Sequence, residues 1–96
     1  ALDGDLPEDC RLFHCDCRDL DWPPEIDLIV SDPPWNDVGC LRWIAEMAAD
    51  HLVDGGLLLL QTSTANLLKS AEILGRNLTY RWTMAIVFHH ANPHAR

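Results

Sequence analysis

The sequence predicts an α/β domain that combines a mostly parallel sheet with flanking helices. Two short and mostly apolar runs, residues 26–30 and 57–61, are typical of strands in a parallel sheet. Apolar side chains recur at helical spacing between these runs, and again after the second run. The resulting order of strand, strand, helix, strand, helix, strand favours βαβ units with right-handed crossovers, arranged in three layers.

The first part of the chain is predicted to hold two strands and the loop between them. Residues 11–15 are a short candidate strand, and residues 26–30 are a second one that we expect to be buried on both faces. Residues 16–25 are predicted to form a loop, because Pro23 and Pro24 cannot donate hydrogen bonds to a sheet.

A helix and a strand are predicted next. Asp37 is a suitable N-cap for a helix that runs to about Leu52, and the Asp-Gly-Gly sequence at residues 54–56 is expected to stop it. Residues 57–61 then form a buried strand. Because a single crossover helix joins it to the previous strand, we expect the two strands to be adjacent and parallel.

A second helix and a last strand complete the predicted domain. The helix is capped by Ser63 or Thr64 and is expected to end at Gly75. Residues 78–88 alternate between apolar and more polar side chains, which predicts a strand whose aromatic residues pack in the core. The apolar face of this strand comprises Tyr80, Trp82, Met84, Ile86 and Phe88.

Composition and charge limit the classes of protein and partner. The 96 residues suit one small domain, and 48% of them are apolar, which predicts a folded chain. The chain has seven basic and fifteen acidic residues, which gives a net charge of −8. The chain alone is therefore expected to bind nucleic acid weakly. The acidic first ten residues do not resemble a signal peptide, and uninterrupted apolar runs such as residues 57–60 are too short to cross a membrane. We therefore expect a cytoplasmic protein with no membrane partner.

The cysteines are expected to be free thiols. Without a secretory signal, Cys10, Cys15, Cys17 and Cys40 are more typical of small core residues than of disulfides. His14 precedes Cys15 and Cys17, but this group lacks the paired spacing of a structural zinc site. The sequence therefore predicts no metal site.

The tetrapeptide Asp32-Pro33-Pro34-Trp35 is the part of the sequence that points most directly to chemistry. It follows the predicted strand at residues 26–30 and so lies at the carboxyl edge of the sheet, where ligands bind in open α/β folds. An acid or amide, two prolines and an aromatic in this order arise by chance in roughly a few in a thousand chains of this length. The alternative interpretation is a rigid turn that ends a strand, with Trp35 packed on the sheet edge. We favour the functional interpretation.

The tetrapeptide resembles the Asp/Asn/Ser-Pro-Pro-aromatic motif of amino-group methyltransferases, and its Asp form is similar to the DNA adenine-N6 members of bacteria and phages. The resemblance covers roughly residues 11–89. It implies a partial Rossmann-like methyltransferase fold in a single domain, residues 1–96. Three further segments show weaker similarity to this family: residues 13–17 together with 27–32, residues 53–59 and residues 80–86.

The resemblance implies transfer of a methyl group from S-adenosylmethionine to the N6 amino group of adenine in DNA. In such a site Asp32 and the backbone carbonyl of Pro33 each accept one N–H of the amine, which turns its lone pair toward the methyl donor. Pro33 and Pro34 stiffen the loop, and the ring of Trp35 stacks on an extruded base. We expect Asp32 to act as an oriented, charged acceptor, since a carboxylate is a weak base.

Cofactor binding is the point at which the sequence departs from the family. The resemblance implies that Asp16 lies near the adenine or ribose of S-adenosylmethionine, whereas the simpler interpretation is a turn acid beside Arg18. The family holds this cofactor with a Gly-rich turn after a strand, and here Gly55-Gly56 precedes a strand instead. We therefore expect weak cofactor binding, an incomplete domain, and a further chain or second subunit that completes the fold.

Two alternative functions fit the same residues. Trp35 as the last motif residue is also similar to the messenger-RNA methylases of eukaryotes, which makes an RNA adenine-N6 methyltransferase the first alternative. A catalytically silent, truncated methyltransferase-fold subunit that only binds a partner is the second. The acidic composition and the missing cofactor turn favour this silent subunit, whereas the intact tetrapeptide favours the enzyme. We prefer DNA over RNA as the nucleic-acid partner.

Overall fold

The structure, a computed structural model, describes residues 6–86 of the chain. A parallel sheet and helices are present, so the predicted α/β class is confirmed at this level. Neither α-helix in this range has the length and hydrophobicity needed to cross a membrane. In chain order the elements are a 3-10 helix at Cys17–Asp19, strand β1 (Ile26–Ser31), helix α1 (Val38–His51), strand β2 (Leu52–Leu60), a 3-10 helix at Thr64–Asn66 and helix α2 (Leu67–Leu74).

β1 and β2 pair in parallel, as their apolar runs predict. Leu28 faces Leu57 across the sheet, and Ser31 faces Leu60. The pairing extends one step further, because the Gln61 amide donates to the Ser31 carbonyl over 2.9 Å. Parallel strands need a long crossover between them, and α1 provides it. Both strands therefore end at the same edge of the sheet.

α1 begins at its predicted cap and passes directly into β2. Oδ1 of Asp37 accepts a hydrogen bond of 3.0 Å from the Cys40 amide, which satisfies a backbone donor of the first turn. The helix ends at His51, and an irregular stretch follows before regular pairing starts at Leu57. Gly55 in this stretch has a φ of 82°, a left-handed conformation that glycine adopts without strain.

Ser63, one of the two predicted caps of the second helix, caps a 3-10 helix that leads into it. Oγ of Ser63 accepts a hydrogen bond of 3.3 Å from the Asn66 amide, which starts a 3-10 turn, and α2 continues to Leu74 before Gly75. The predicted loop at residues 16–25 is confirmed, apart from the short 3-10 helix within it. The end of α1 differs from the prediction, because residues 54–56, which the sequence predicts to stop the helix, lie within β2. At the N-terminus of α2 itself, Asn66 makes no side-chain capping hydrogen bond.

The core lies between one face of the sheet and the helices. Ile29 of β1 packs against Met47 and Ala48 of α1. α1 also contacts α2, so both helices lie on the same side of the sheet. Six partly buried residues surround the central cluster: Trp22, Ile26, Trp43, Leu52, Leu58 and Leu78.

The opposite face of the sheet, which we call the outer face, consists of Leu28, Val30, Leu57 and Leu59. Leu28 and Val30 are 51% and 70% exposed, and their partners in β2 are 36% and 37% exposed. The described residues therefore form two layers, and the prediction of three layers is wrong for this part of the chain. β1 is likewise buried on one face and not on both. The prediction failed because an apolar run does not specify how many faces of a strand are covered.

Two predicted strands are absent from the described residues. Residues 11–15 form no strand and are exposed throughout. Residues 78–86 form none either, and Tyr80 and Trp82, which we expected in the core, are 61% and 54% exposed. The end of that predicted strand, residues 87–88, lies outside the described part. Both predictions fail for the same reason: a strand-like sequence becomes a strand only when a neighbouring strand accepts its hydrogen bonds.

The cysteines are free, as predicted, but most of them are not core residues. Cys10, Cys15 and Cys17 are exposed, because the segment before β1 lies largely on the surface. Cys40 is partly buried in the first turn of α1. Burial raises the pKa of the Cys40 thiol, and the charge of Asp37 adds to this effect.

Candidate functional site

The loop after β1 places the tetrapeptide Asp32-Pro33-Pro34-Trp35 at the carboxyl edge of the sheet, where the sequence predicts it. Asp32, Pro34 and Trp35 are exposed, whereas Pro33 is buried. The buried proline anchors the loop while the side chains on either side of it face solvent. The loop therefore presents a carboxylate and an indole at the edge where open α/β sheets bind ligands.

Trp35 and Asp32 are hydrogen-bonded to each other. The indole Nε1 of Trp35 donates to Oδ1 of Asp32 over 3.0 Å. This bond orients the carboxylate, and in the described part of the chain no group donates to Oδ2. The indole is 37% exposed, so part of its ring remains open to stacking. The sequence predicts both residues for the site but gives no sign of their contact.

The rest of the loop is tied to the start of α1. The Asp37 amide donates to the Pro34 carbonyl over 3.2 Å, and the Leu41 amide donates to the Asp37 carbonyl over 3.1 Å. Among residues 6–86, the Pro33 carbonyl accepts no hydrogen bond. It is therefore a backbone acceptor with free capacity next in sequence to the carboxylate of Asp32, although it belongs to a buried residue.

Gln61 lies beside Asp32 at the same edge of the sheet. Because β1 and β2 are paired up to their last residues, the residues that follow them are neighbours across the sheet. Gln61 is exposed, whereas Thr62 hydrogen-bonds the buried Ser70 of α2 over 3.2 Å. In the sequence both residues are polar ends of a strand, which is also ordinary turn chemistry. The structure brings Gln61 to the site and directs Thr62 toward α2.

Asp16 is held in a local ion pair with Arg18. Its Oδ1 accepts the Arg18 amide at 2.9 Å and Nε at 3.1 Å, and its Oδ2 accepts Nη2 at 2.8 Å. The side-chain hydrogen bonds to Arg18, followed by the bond from the Arg18 amide, lower the pKa of Asp16 to about 2. This is the arrangement of a turn acid paired with its neighbour. The role of Asp16 beside a cofactor stays a prediction.

A cavity of about 260 Å³ lies between the loop before β1 and the face of α1. Two contacts shape it: Nε1 of Trp22 donates to the Cys17 carbonyl over 2.8 Å, and Nδ1 of His51 lies 2.8 Å from the Pro23 carbonyl. None of residues 32–35 takes part in it, so it is separate from the tetrapeptide loop. The residues that line it are Arg18, Trp22, Trp43, Glu46, Met47, Asp50 and His51.

The described residues do not fit S-adenosylmethionine. The tetrapeptide follows β1 and Gln-Thr-Ser follows β2, so neither strand is followed by a Gly-rich turn. Both carboxylate oxygens of Asp16, the residue predicted for this cofactor, already accept hydrogen bonds from Arg18. Within residues 6–86, no three or more His, Cys, Asp and Glu side chains are grouped to hold a metal ion. Among residues 6–86, the site therefore has hydrogen-bond acceptors for an amine but no Gly-rich backbone turn for the cofactor.

Comparison of the chain with known protein families, with characterised proteins and with solved structures found no match in any of the three. The resemblance to adenine methyltransferases therefore depends on the residues of the sequence itself. The geometry of the tetrapeptide loop is an observation on this chain itself, and it does not depend on that resemblance.

Proposed function

We propose that this chain holds the target amine during transfer of a methyl group from S-adenosylmethionine to the N6 amino group of adenine in DNA. The bond between Trp35 and Asp32 carries the proposal, because it orients an exposed carboxylate at the carboxyl edge of the sheet. The exocyclic amine of adenine is a poor nucleophile, since its lone pair is delocalised into the ring. An acceptor held in one direction is what such an amine requires.

Two acceptors in the loop match the two N–H bonds of the amine. Oδ2 of Asp32 and the carbonyl oxygen of Pro33 have no donor within the described residues. If each accepts one N–H, the nitrogen turns toward tetrahedral geometry and its lone pair points away from the loop. The bond from the Asp37 amide to the Pro34 carbonyl holds the loop in place, which reduces the reorganisation needed at the moment of reaction.

Trp35 and Gln61 are suited to hold the base that carries the amine. The exposed part of the indole provides a surface for stacking, which contributes about 1 to 3 kcal/mol per base in single-stranded complexes. Gln61 is a neighbour of Asp32 across the sheet, and a glutamine side chain can both donate to and accept from an adenine edge. The two residues therefore support recognition of a base extruded from the duplex.

The proposed reaction needs partners beyond the described residues. Seven basic residues against fifteen acidic ones give this chain little capacity to neutralise phosphates, so basic residues of another chain or segment would contact the DNA. The methyl donor also requires a binding site that residues 6–86 do not provide. We propose that a further chain or a second subunit contributes both.

A catalytically silent subunit is the second candidate function. The misfit of the cofactor and the exposed outer face favour it, since both suit a chain that binds a partner and performs no chemistry of its own. The two candidates differ in one observable: the enzyme needs the carboxylate of Asp32, whereas a silent subunit does not.

The test is single-turnover methylation of an adenine-containing duplex by the protein with its completing chain, using labelled S-adenosylmethionine. Asp32→Ala removes the side-chain acceptor altogether, and we expect the rate to fall about a hundredfold to a thousandfold. Asp37→Asn is the matched control, because asparagine also caps a helix and the same charge is removed five residues away. Wild-type activity in Asp32→Ala, with folding intact, would contradict the proposal.

A further inference from the structure

We propose that the cavity between the loop before β1 and helix α1 is a binding site for an organic cation that carries a trimethylammonium group. The cavity has a volume of about 260 Å³, and none of residues 32–35 lines it. It is therefore independent of the proposed methyl transfer. Three features of its lining support this ligand: two indole rings, an apolar floor and two acidic side chains at its mouth.

Helix α1 contributes one continuous stripe of side chains to the cavity. Residues three and four positions apart lie on the same face of a helix, and the five lining residues of α1 follow this spacing. In chain order they are Trp43, Glu46, Met47, Asp50 and His51. Met47 is 8% exposed, whereas Glu46 and Asp50 are both exposed. The stripe therefore gives the cavity an apolar floor and an acidic mouth.

The loop before β1 forms the opposite wall and is fixed by two contacts. Nε1 of Trp22 donates to the Cys17 carbonyl over 2.8 Å, so the single polar atom of this indole already has a partner. Nδ1 of His51 lies 2.8 Å from the Pro23 carbonyl, a contact that joins the loop to the end of α1. Trp22 and Trp43 thus bring two aromatic rings to a cavity that is already formed.

Two indole rings favour a cation over a neutral ligand of the same shape. The face of an aromatic ring is electronegative, and indole binds cations better than the rings of Tyr or Phe do. A trimethylammonium group suits such a cavity, because its charge is spread over methyl groups that can also contact the side chain of Met47. Sites for larger ligands have volumes of about 300 to 1,000 Å³, so this cavity accommodates the cationic group and few further atoms.

The charges around the cavity have the sign that a cation requires. Glu46 and Asp50 are four residues apart on α1, a spacing at which like charges repel. Within residues 6–86, neither carboxylate forms an ion pair. The positive charge of Arg18 is already paired, since its Nε and Nη2 donate to Asp16 over 3.1 and 2.8 Å. A bound cation would relieve the repulsion between the two carboxylates, whereas a bound anion would be repelled by both.

A metal ion suits this cavity less well than an organic cation. The MET-type ligands are insufficient, because within the described residues no three or more His, Cys, Asp and Glu side chains are grouped to hold a metal ion. Indole rings also supply no metal ligand. The net charge of −8 attracts cations of both kinds, so the rings and the apolar floor are what select a methylated ammonium group.

Choline and its uncharged carbon analogue, in which a tert-butyl group replaces trimethylammonium, test the proposal because they differ in charge and hardly in shape. Each is titrated into the full chain while NMR follows the indole N–H signals of the four tryptophans, with sodium chloride holding the ionic strength constant. We expect a dissociation constant on the order of 1 mM for choline and binding at least about tenfold weaker for the analogue. The signals of Trp22 and Trp43 should move, whereas those of Trp35 and Trp82 should not.

Substitutions locate the site. Glu46→Gln removes one charge from the mouth and Trp43→Leu removes one ring, and we expect each to weaken choline binding about three- to fivefold. Trp43→Phe retains a ring and should recover part of the affinity lost in Trp43→Leu. Glu72→Gln is the matched control, since it removes an exposed carboxylate from α2 that does not line the cavity, and it should bind choline as the wild type does. Circular dichroism checks that all four variants fold.

A free small molecule and a trimethylated lysine side chain carry the same cationic group. A short peptide that contains trimethyllysine is therefore titrated in parallel with choline. Tighter binding of the peptide would support the proposal with lysine as the source, and tighter binding of choline would support it with a small molecule as the source.

Three results would overturn the proposal. Equal affinity for choline and its carbon analogue would mean that the cavity selects apolar shape alone. Equal movement of all four indole signals would mean that choline binds without a defined site. Equal weakening by Glu46→Gln and Glu72→Gln would mean that choline responds only to the general negative charge of the chain.

Discussion

Nε1 of Trp35 lies 3.0 Å from Oδ1 of Asp32, so the last residue of the tetrapeptide orients its first. The two intervening prolines make this possible, because their fixed φ angles restrict the turn that brings the indole back to the carboxylate. An aromatic residue at this position thus has a second role besides stacking. Tryptophan fulfils it through an N–H that phenylalanine lacks.

This contact leads to the first prediction. Trp35→Phe retains a ring for stacking but removes the donor to Asp32, so we expect kcat of the complete enzyme to fall about tenfold with little change in KM. Trp35→Ala removes both contributions, and we expect it to weaken capture of the base by a further 1 to 3 kcal/mol, approximately. Steady-state kinetics on an adenine-containing duplex separates the two effects. Equal kcat for wild type and Trp35→Phe would show that the bond to Asp32 has no catalytic role.

The second prediction concerns the cap of α1. Asp37→Ala removes the side-chain acceptor of the Cys40 amide, and we expect it to destabilise the protein by about 0.5 to 2 kcal/mol. Asp37→Asn retains an acceptor at the same position and is expected to cost little. Urea denaturation followed by circular dichroism measures the difference. If both variants lost the same stability, the charge of Asp37 and not its hydrogen bond would be responsible.

The third prediction concerns the close approach of the strands at Gly56. A Cβ atom added there would lie 2.9 Å from the Val53 carbonyl oxygen and 3.2 Å from the carbonyl oxygens of Ile26 and Asp27. These are backbone atoms, so the strands must separate, and we expect Gly56→Ala to destabilise by about 1 to 3 kcal/mol.

Gly39→Ala is the control for this substitution. A Cβ atom at Gly39 meets only Oδ1 of Asp37 at 3.4 Å, and alanine favours the helix, so we expect a gain of up to about 1 kcal/mol. The midpoints of urea denaturation of the two variants should therefore move in opposite directions. A Gly56→Ala variant as stable as the wild type would mean that β1 and β2 are not in close contact there.

The fourth prediction is a pH dependence at Asp16. Hydrogen bonds from Arg18 lower the pKa of Asp16 from 3.8 to about 2. Because the folded pKa is the lower one, the stabilisation is fully present above pH 3.8 and is lost as the pH falls through about 2. Titration of the aspartate side-chain carbons by NMR measures the folded value directly.

Arg18→Gln should return the pKa of Asp16 toward 3.8, since it removes the donors of both side-chain hydrogen bonds. Arg76→Gln removes the same charge from the turn after α2, where the Arg76 guanidinium lies 4.0 Å from the Glu72 carboxylate, and should leave the pKa of Asp16 unchanged. A pKa of Asp16 that does not respond to Arg18→Gln would show that the ion pair is absent in solution.

The sequence predicts those parts of the fold that local chemistry determines. Asp37 and Ser63 are caps because their side chains bond amides three residues ahead, and such bonds need no distant partner. The parallel pairing of β1 and β2 is also predictable, since one helix-length crossover joins two apolar runs. The position of the tetrapeptide follows from that pairing.

The remaining features depend on distant neighbours. Residues 11–15 and 78–86 have strand-like sequences, but whether they form strands depends on an edge that accepts their hydrogen bonds. The exposure of Val30 depends on which face α1 covers, and apolar composition alone does not specify it. The bond between Trp35 and Asp32 requires the three-dimensional path of a proline turn. Residue spacing alone does not reveal that path.

The direct passage from α1 into β2 has a consequence for how the protein folds. β1 and β2 are neighbours in space but are separated in the chain by the whole of α1, so their pairing must overcome the entropy of closing a long loop. Helix formation shortens that loop, and only the short irregular stretch between His51 and Leu57 can absorb an error in the helix end. The rate of sheet formation should therefore follow the stability of α1, and a substitution that weakens this helix should slow refolding more than it accelerates unfolding.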